Sequence, residues 1–188
     1  MWSAIGVVLL ALLSIRAQAD PVTELPGLSR ATLSLAVTSP DGASNTLETL
    51  VIRPDGPGPF PLALISHGMP RSDIPETRPQ SYSGPAIAFA QHGYAAVIVM
   101  RRGYGHSTGT FAETLGPCDD RNYISPGKAA AADVLGALEK LQQEPWVDPK
   151  RVLLVGHSMG GVAVVAASAA NPAGVRGTLS FAGAFSQL

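Results

Sequence analysis

Charge is scarce in this sequence. Of its 188 residues only 14% are Asp, Glu, Lys or Arg, the formal net charge is −1, and no run of basic residues occurs. A phosphate backbone is gripped by clustered Lys and Arg, so composition argues against a nucleic-acid partner. Long apolar runs are missing too: Ile5 to Leu13 (IGVVLLALL) is too short to span a bilayer of about 30 Å as a helix, and no later stretch approaches the ~20 residues a span needs. Cysteine is reduced to Cys118. Internal repeats and low-complexity tracts are absent. What is present is globular: 46% of residues are hydrophobic, enough apolar surface to offset chain entropy.

The N-terminal apolar run ends near Ala17-Gln18-Ala19, an A-x-A cleavage pattern, so residues 1–19 read as a signal peptide and the mature chain as secreted or periplasmic. An uncleaved N-terminal anchor is the competing reading, since Met1-Trp2-Ser3 carries no Lys or Arg. In an oxidising compartment Cys118 is an odd thiol: free, intermolecular, or lacking its partner.

From Asp20 onward, short β-branched runs alternate with helical patterns between Gly and Pro punctuation, which predicts an α/β fold. Thr32–Val37 and Leu47–Ile52 read as an antiparallel edge hairpin turning at Pro40-Asp41-Gly42. Leu62–Ile65, Ala95–Met100 and Arg151–Val155 are continuous apolar runs of the kind buried on both faces of a parallel sheet, and Gly177–Phe181 is a last strand. Helices are predicted over Gly84–His92, over Gly127–Glu144, and after Gly156–Gly161 as an Ala/Val-rich helix to Asn171-Pro172. The loop from Arg101 to Pro126 exceeds the ~15 residues usual for compact domains, which points to function nearby.

Gly156-His157-Ser158-Met159-Gly160 fits G-x-S-x-G between a buried strand and a small-residue helix, the setting of a nucleophile elbow. Glycines two before and two after Ser158 let strand and helix approach closely while the turn lifts the hydroxyl into the open. The bland reading of the same motif is a glycine-rich turn whose Ser caps a helix. Arg102-Gly103-Tyr104-Gly105 contains G-x-G, but the spacing to Gly109 breaks the dinucleotide-binding pattern.

Three motifs in chain order, SHGMP at Ser66–Pro70, RRGYGHSTG at Arg101–Gly109 and VGHSMGG at Val155–Gly161, resemble the α/β-hydrolase superfamily. With SFAGA near the end and Cys118 in GPCDD, the likeness is to dienelactone-hydrolase-like and prolyl-oligopeptidase-like serine hydrolases. The resemblance implies a mostly parallel sheet preceded by an antiparallel hairpin, with residues 20–188 as the N-terminal portion of one such domain and its C-terminal strands and helices missing. It implies that Ser158 is the nucleophile and that the backbone N–H groups of Met159 and Met69 form the oxyanion hole. It also implies a small ester or short peptide as substrate, no cofactor and no metal, and a missing C-terminal cysteine as the disulfide partner of Cys118.

His67 competes as a general base, but the resemblance makes its ring a structural part of the oxyanion loop. His157 adjoins the nucleophile at a position expected to point away from it. His106 and His92 read as loop surface and helix end, Tyr104 as a packed loop aromatic or a pocket wall, and Asp133 as a hydrogen-bond acceptor on its helix. In this fold the triad acid and base follow the nucleophile in sequence. Residues 159–188 contain no Asp, Glu or His. Either the chain is the N-terminal part of a longer enzyme and inactive by itself, or it is a catalytically dead protein on a hydrolase scaffold. The readings to separate are therefore an esterase or lactonase, a serine peptidase, and a non-catalytic binding protein.

Overall fold

The computed structural model describes residues 25–72, 74–117 and 119–183. The leader segment 1–19 and Cys118 lie outside the described residues. Six strands form one sheet: β1 (Leu28–Thr38), β2 (Ser44–Pro54), β3 (Phe60–Ser66), β4 (Ala95–Val99), β5 (Val147–His157) and β6 (Val175–Phe181), in the spatial order β1-β2-β4-β3-β5-β6. β1 and β2 form an antiparallel hairpin that registers Leu35 opposite Leu47. Its turn needs a left-handed residue, and Gly42 supplies it at φ 83°.

β2 joins β4 antiparallel, whereas β4, β3, β5 and β6 run parallel. The alternation of side chains along β3 divides the core into two faces. Leu62 and Leu64 face one cluster, shared with α2 (Ile124–Leu141) and α3 (Met159–Ser168). Ala63 and Ile65 face the other, covered by α1 (Ser83–Gln91). Helices on both faces explain why β3 and β4 are apolar without alternation.

Several boundaries differ from the sequence reading, β1 starting at Leu28 and not Thr32 and β5 at Val147 and not Arg151. α2 begins at Ile124, not Gly127, because the Asn122 side chain accepts the Ile124 N–H at 2.9 Å and starts the helix before Pro126, whose ring is tolerated in a first turn. The same helix ends at Leu141, short of Pro145. Between β3 and α1 the chain makes two short 3₁₀ turns, Ile74–Glu76 and Pro79–Tyr82, which no apolar periodicity announces.

Candidate active site

The carboxyl ends of the parallel strands carry the site. β5 runs into α3 through a single sharp turn at Ser158, held at φ 53°, ψ −120°. A non-glycine residue there is strained by roughly 1–3 kcal/mol and persists only where its surroundings enforce it. Those surroundings are backbone: a Cβ on Gly156 would strike the Gly160 carbonyl, and one on Gly160 would strike the carbonyls of Ser66 and His67. β3, β5 and α3 are thus in backbone contact at the turn. The Ser158 N–H donates to the Phe181 carbonyl at 2.8 Å, tying the turn to β6 as well.

Ser158 is half-buried and opens on a cleft of about 470 Å³. Met69, from the loop after β3, and Met159, the first residue of α3, line the same cleft. The N–H groups of a first helical turn have no partner within the helix and lie at its positive dipole end, so Met159 offers an anion a donor. The structure therefore gathers Ser158, Met159 and Met69 at one opening. The cleft also takes in Arg71, Glu113 and Arg121, which the motif reading passed over.

His67 lies elsewhere. It is fully buried, and both ring nitrogens are engaged: Nδ1–H donates to the Gly68 carbonyl at 2.8 Å, and Nε2 accepts the Arg101 backbone N–H at 3.2 Å. Only the neutral tautomer protonated at Nδ1 satisfies both bonds. Burial, reinforced by the Arg101 guanidinium, holds its pKa well below the ordinary value of 6.5. The ring is a brace of the loop with no nitrogen left for proton transfer.

Behind the loop is a buried ionic cluster. Arg101 is fully buried; its Nη1 donates to Ser66 Oγ at 2.8 Å and to the His67 carbonyl at 2.7 Å. Its Nε and Nη2 form a fork onto Glu113 at 2.5 and 2.9 Å, and the Tyr104 hydroxyl donates to the same carboxylate at 2.8 Å. Burial works to lower the Arg101 pKa, but the Glu113 carboxylate outweighs it and raises the value. Burial and Glu113 push the Tyr104 phenol up, so it stays a donor. Tyr104 is thus a packed aromatic under the loop, edge-on to His67 at 4.4 Å.

The remaining candidates are peripheral. Asp133 on α2 accepts the backbone N–H of Arg102 at 2.9 Å and its Nε–H at 2.8 Å, fastening the loop after β4 to the helix. His106 is 69% exposed beside Glu48, His92 donates from Nδ1 to the Ala88 carbonyl near the end of α1, and His157 is exposed. Among the described residues, no group of three His, Cys, Asp or Glu side chains could hold a metal ion.

The sheet order and the strained serine at a strand-to-helix turn define the α/β-hydrolase fold. A family model described as serine aminopeptidase, S33 matches residues 76–187, more than half of the chain, and the chain belongs to that family. Among curated proteins it is 30% identical over 122 residues to esterase EstD of Thermotoga maritima, a stretch that covers 63% of this chain and 26% of that one. Among solved structures it is similar to the esterase Est22, with a TM-score of 0.55 at 19% identity, covering 76% of this chain and 39% of that one. A dienelactone hydrolase candidate from Klebsiella pneumoniae gives a TM-score of 0.53 at 16% identity, over 85% of this chain and 62% of that one. The chain spans about a quarter of the length of the curated relative.

Proposed function

We propose that this chain carries the nucleophile and the oxyanion donors of an exported serine hydrolase that cleaves a carboxylic ester or lactone. One observation carries the reading: the strained Ser158 opens on a cleft shared with Met69 and Met159. In this mechanism Ser158 Oγ attacks the ester carbonyl carbon and gives up its proton to a general base. The carbonyl oxygen becomes an oxyanion held by the Met159 and Met69 N–H groups, each donor worth about 2.7–4 kcal/mol in the transition state. The tetrahedral species collapses, the C–O bond to the leaving group breaks, and the base returns the proton to the departing alkoxide. Water then repeats the sequence on the acyl-enzyme and frees the acid.

The base and its acid partner are supplied from outside the 188 residues, since residues 159–188 hold no Asp, Glu or His and both nitrogens of His67 are occupied. The 188 residues alone then turn over no ester, because a serine without its base loses most of its catalysis. Residues 1–19 act as the export leader, and Cys118 pairs with a cysteine outside the chain. The small-ester assignment draws on the esterase relatives. The family match favours a second reading, a serine peptidase releasing residues from short peptides by the same acyl-enzyme route.

The test is a fluorophosphonate probe on the protein expressed from its complete reading frame. Labelling at Ser158 that vanishes in Ser158→Ala is expected, with kcat on p-nitrophenyl acetate falling about 10⁶-fold in that variant. Faster turnover of aminoacyl p-nitroanilides than of the acetate selects the peptidase. A folded protein that takes no label overturns the hydrolase reading and leaves a binding protein on this scaffold.

A further inference from the structure

The buried pair Arg101–Glu113 has no part in the acyl-transfer steps, yet it touches both the loop that presents Met69 and the wall of the cleft. Arg101 sends two bonds from Nη1 and one from its backbone N–H into Ser66 and His67, so three of its donors serve the loop after β3. Its Nε and Nη2 hold Glu113, which lines the cleft from the long segment between β4 and α2. The Gly68 carbonyl accepts from His67 Nδ1–H at 2.8 Å and from the Tyr82 hydroxyl at 3.3 Å. In a planar trans peptide the N–H points opposite to the carbonyl, so the Met69 N–H is aimed away from His67 and Tyr82.

We propose that Arg101 and Glu113 are positioning residues that set the direction of the Met69 N–H by fixing His67 and Ser66, coupling the cleft wall to the oxyanion hole. The inference rests on the hydrolase reading above. A pair kept for stability alone could be exchanged for apolar side chains of similar volume, often with no loss and sometimes with a gain. A positioning pair could not, because an apolar side chain leaves the His67 carbonyl and the Ser66 hydroxyl without their anchor. Glu113 adds the link to substrate: whatever seats against the wall at Glu113 presses, through Arg101, on the loop that must receive the oxyanion.

The experiment compares Arg101→Lys and the paired exchange Arg101→Met/Glu113→Leu with the wild type, all expressed from the complete reading frame. Competent sites are counted by fluorophosphonate titration, so that kcat is expressed per labelled Ser158. In the paired exchange, kcat per site on p-nitrophenyl acetate is expected to fall about 10²-fold with KM within about threefold, the pattern of an interaction lost only in the transition state. Affinity for a trifluoromethyl ketone, whose serine adduct carries an oxyanion, is expected to fall in parallel. Lysine keeps a charge opposite Glu113 but lacks the planar fork, so Arg101→Lys is expected to lose about 10-fold. If the paired exchange does not fold, Arg101→Lys decides by the same readouts. Wild-type kcat per site in the folded variants overturns the inference and leaves the hydrolase reading standing. A wild-type protein that takes no label at Ser158 removes both.

Discussion

On the β5–α3 side of the cleft, Ser158 is held chiefly by backbone: two glycines with no space for a methyl group and an amide bonded to the Phe181 carbonyl. On the β3 side, the loop bearing Met69 is held by side chains that come from far along the chain, Arg101 lying 35 residues from Ser66 and Glu113 another 12 beyond it. The two sides answer to different forces. Steric enclosure is blind to charge and pH but intolerant of one added carbon, whereas a desolvated ionic network tolerates small changes of volume but not a missing partner.

The largest effect that would expose this contrast is Arg101→Met. It strands the Glu113 carboxylate in a site where the pair is 0 and 3% exposed, and stability is expected to fall by about 4 kcal/mol, read as a lowered urea midpoint. Next comes Gly160→Ala, a change of one methyl with no change of charge. The new Cβ meets the Ser66 and His67 carbonyls, and a loss of about 3 kcal/mol is expected by the same measurement.

A smaller effect concerns pH. His67 has a folded pKa depressed below its unfolded value of 6.5, so the unfolded chain binds the extra proton first as pH falls. Its contribution to stability is complete above pH 6.5 and is lost as pH falls below 6.5 toward the folded value, by at most about 1.4 kcal/mol per pH unit for one proton. Urea midpoints measured from neutral pH downward should fall along that slope, and His67→Gln should flatten it. The smallest effect has the opposite sign. Ser158→Gly removes the left-handed strain and should raise stability by about 1 kcal/mol while abolishing probe labelling; a drop in the midpoint would mean that the hydroxyl stabilises the turn more than the strain costs.

The backbone-held side was the more legible in the sequence. Gly156, Ser158 and Gly160 sit within five residues, and their meaning depends only on a strand before and a helix after, both visible as apolar runs. The sheet was legible for the same reason: Leu62–Ile65 and Ala95–Met100 are continuous because helices cover both faces. The Arg101–Glu113 pair was not. The two residues are joined across a loop without periodicity, and neither an Arg beside Arg102 nor a lone Glu before Thr114 differs locally from a solvated charge. Asp133 was easier, because an acidic residue among alanines on an otherwise apolar helix face calls for a donor, and Arg102 provides it. The start of α2 depended on a side-chain cap from Asn122, a contact between near neighbours that hydrophobic spacing does not encode.

The bond between the Ser158 amide and the Phe181 carbonyl ties the turn that carries the serine to the end of β6, where β5 and β6 pair. An amide can exchange its hydrogen only while its bond is broken. The deuterium uptake of Ser158 therefore keeps time with the parting of these two strands, so that a single amide at the turn reports how often their ladder lets go.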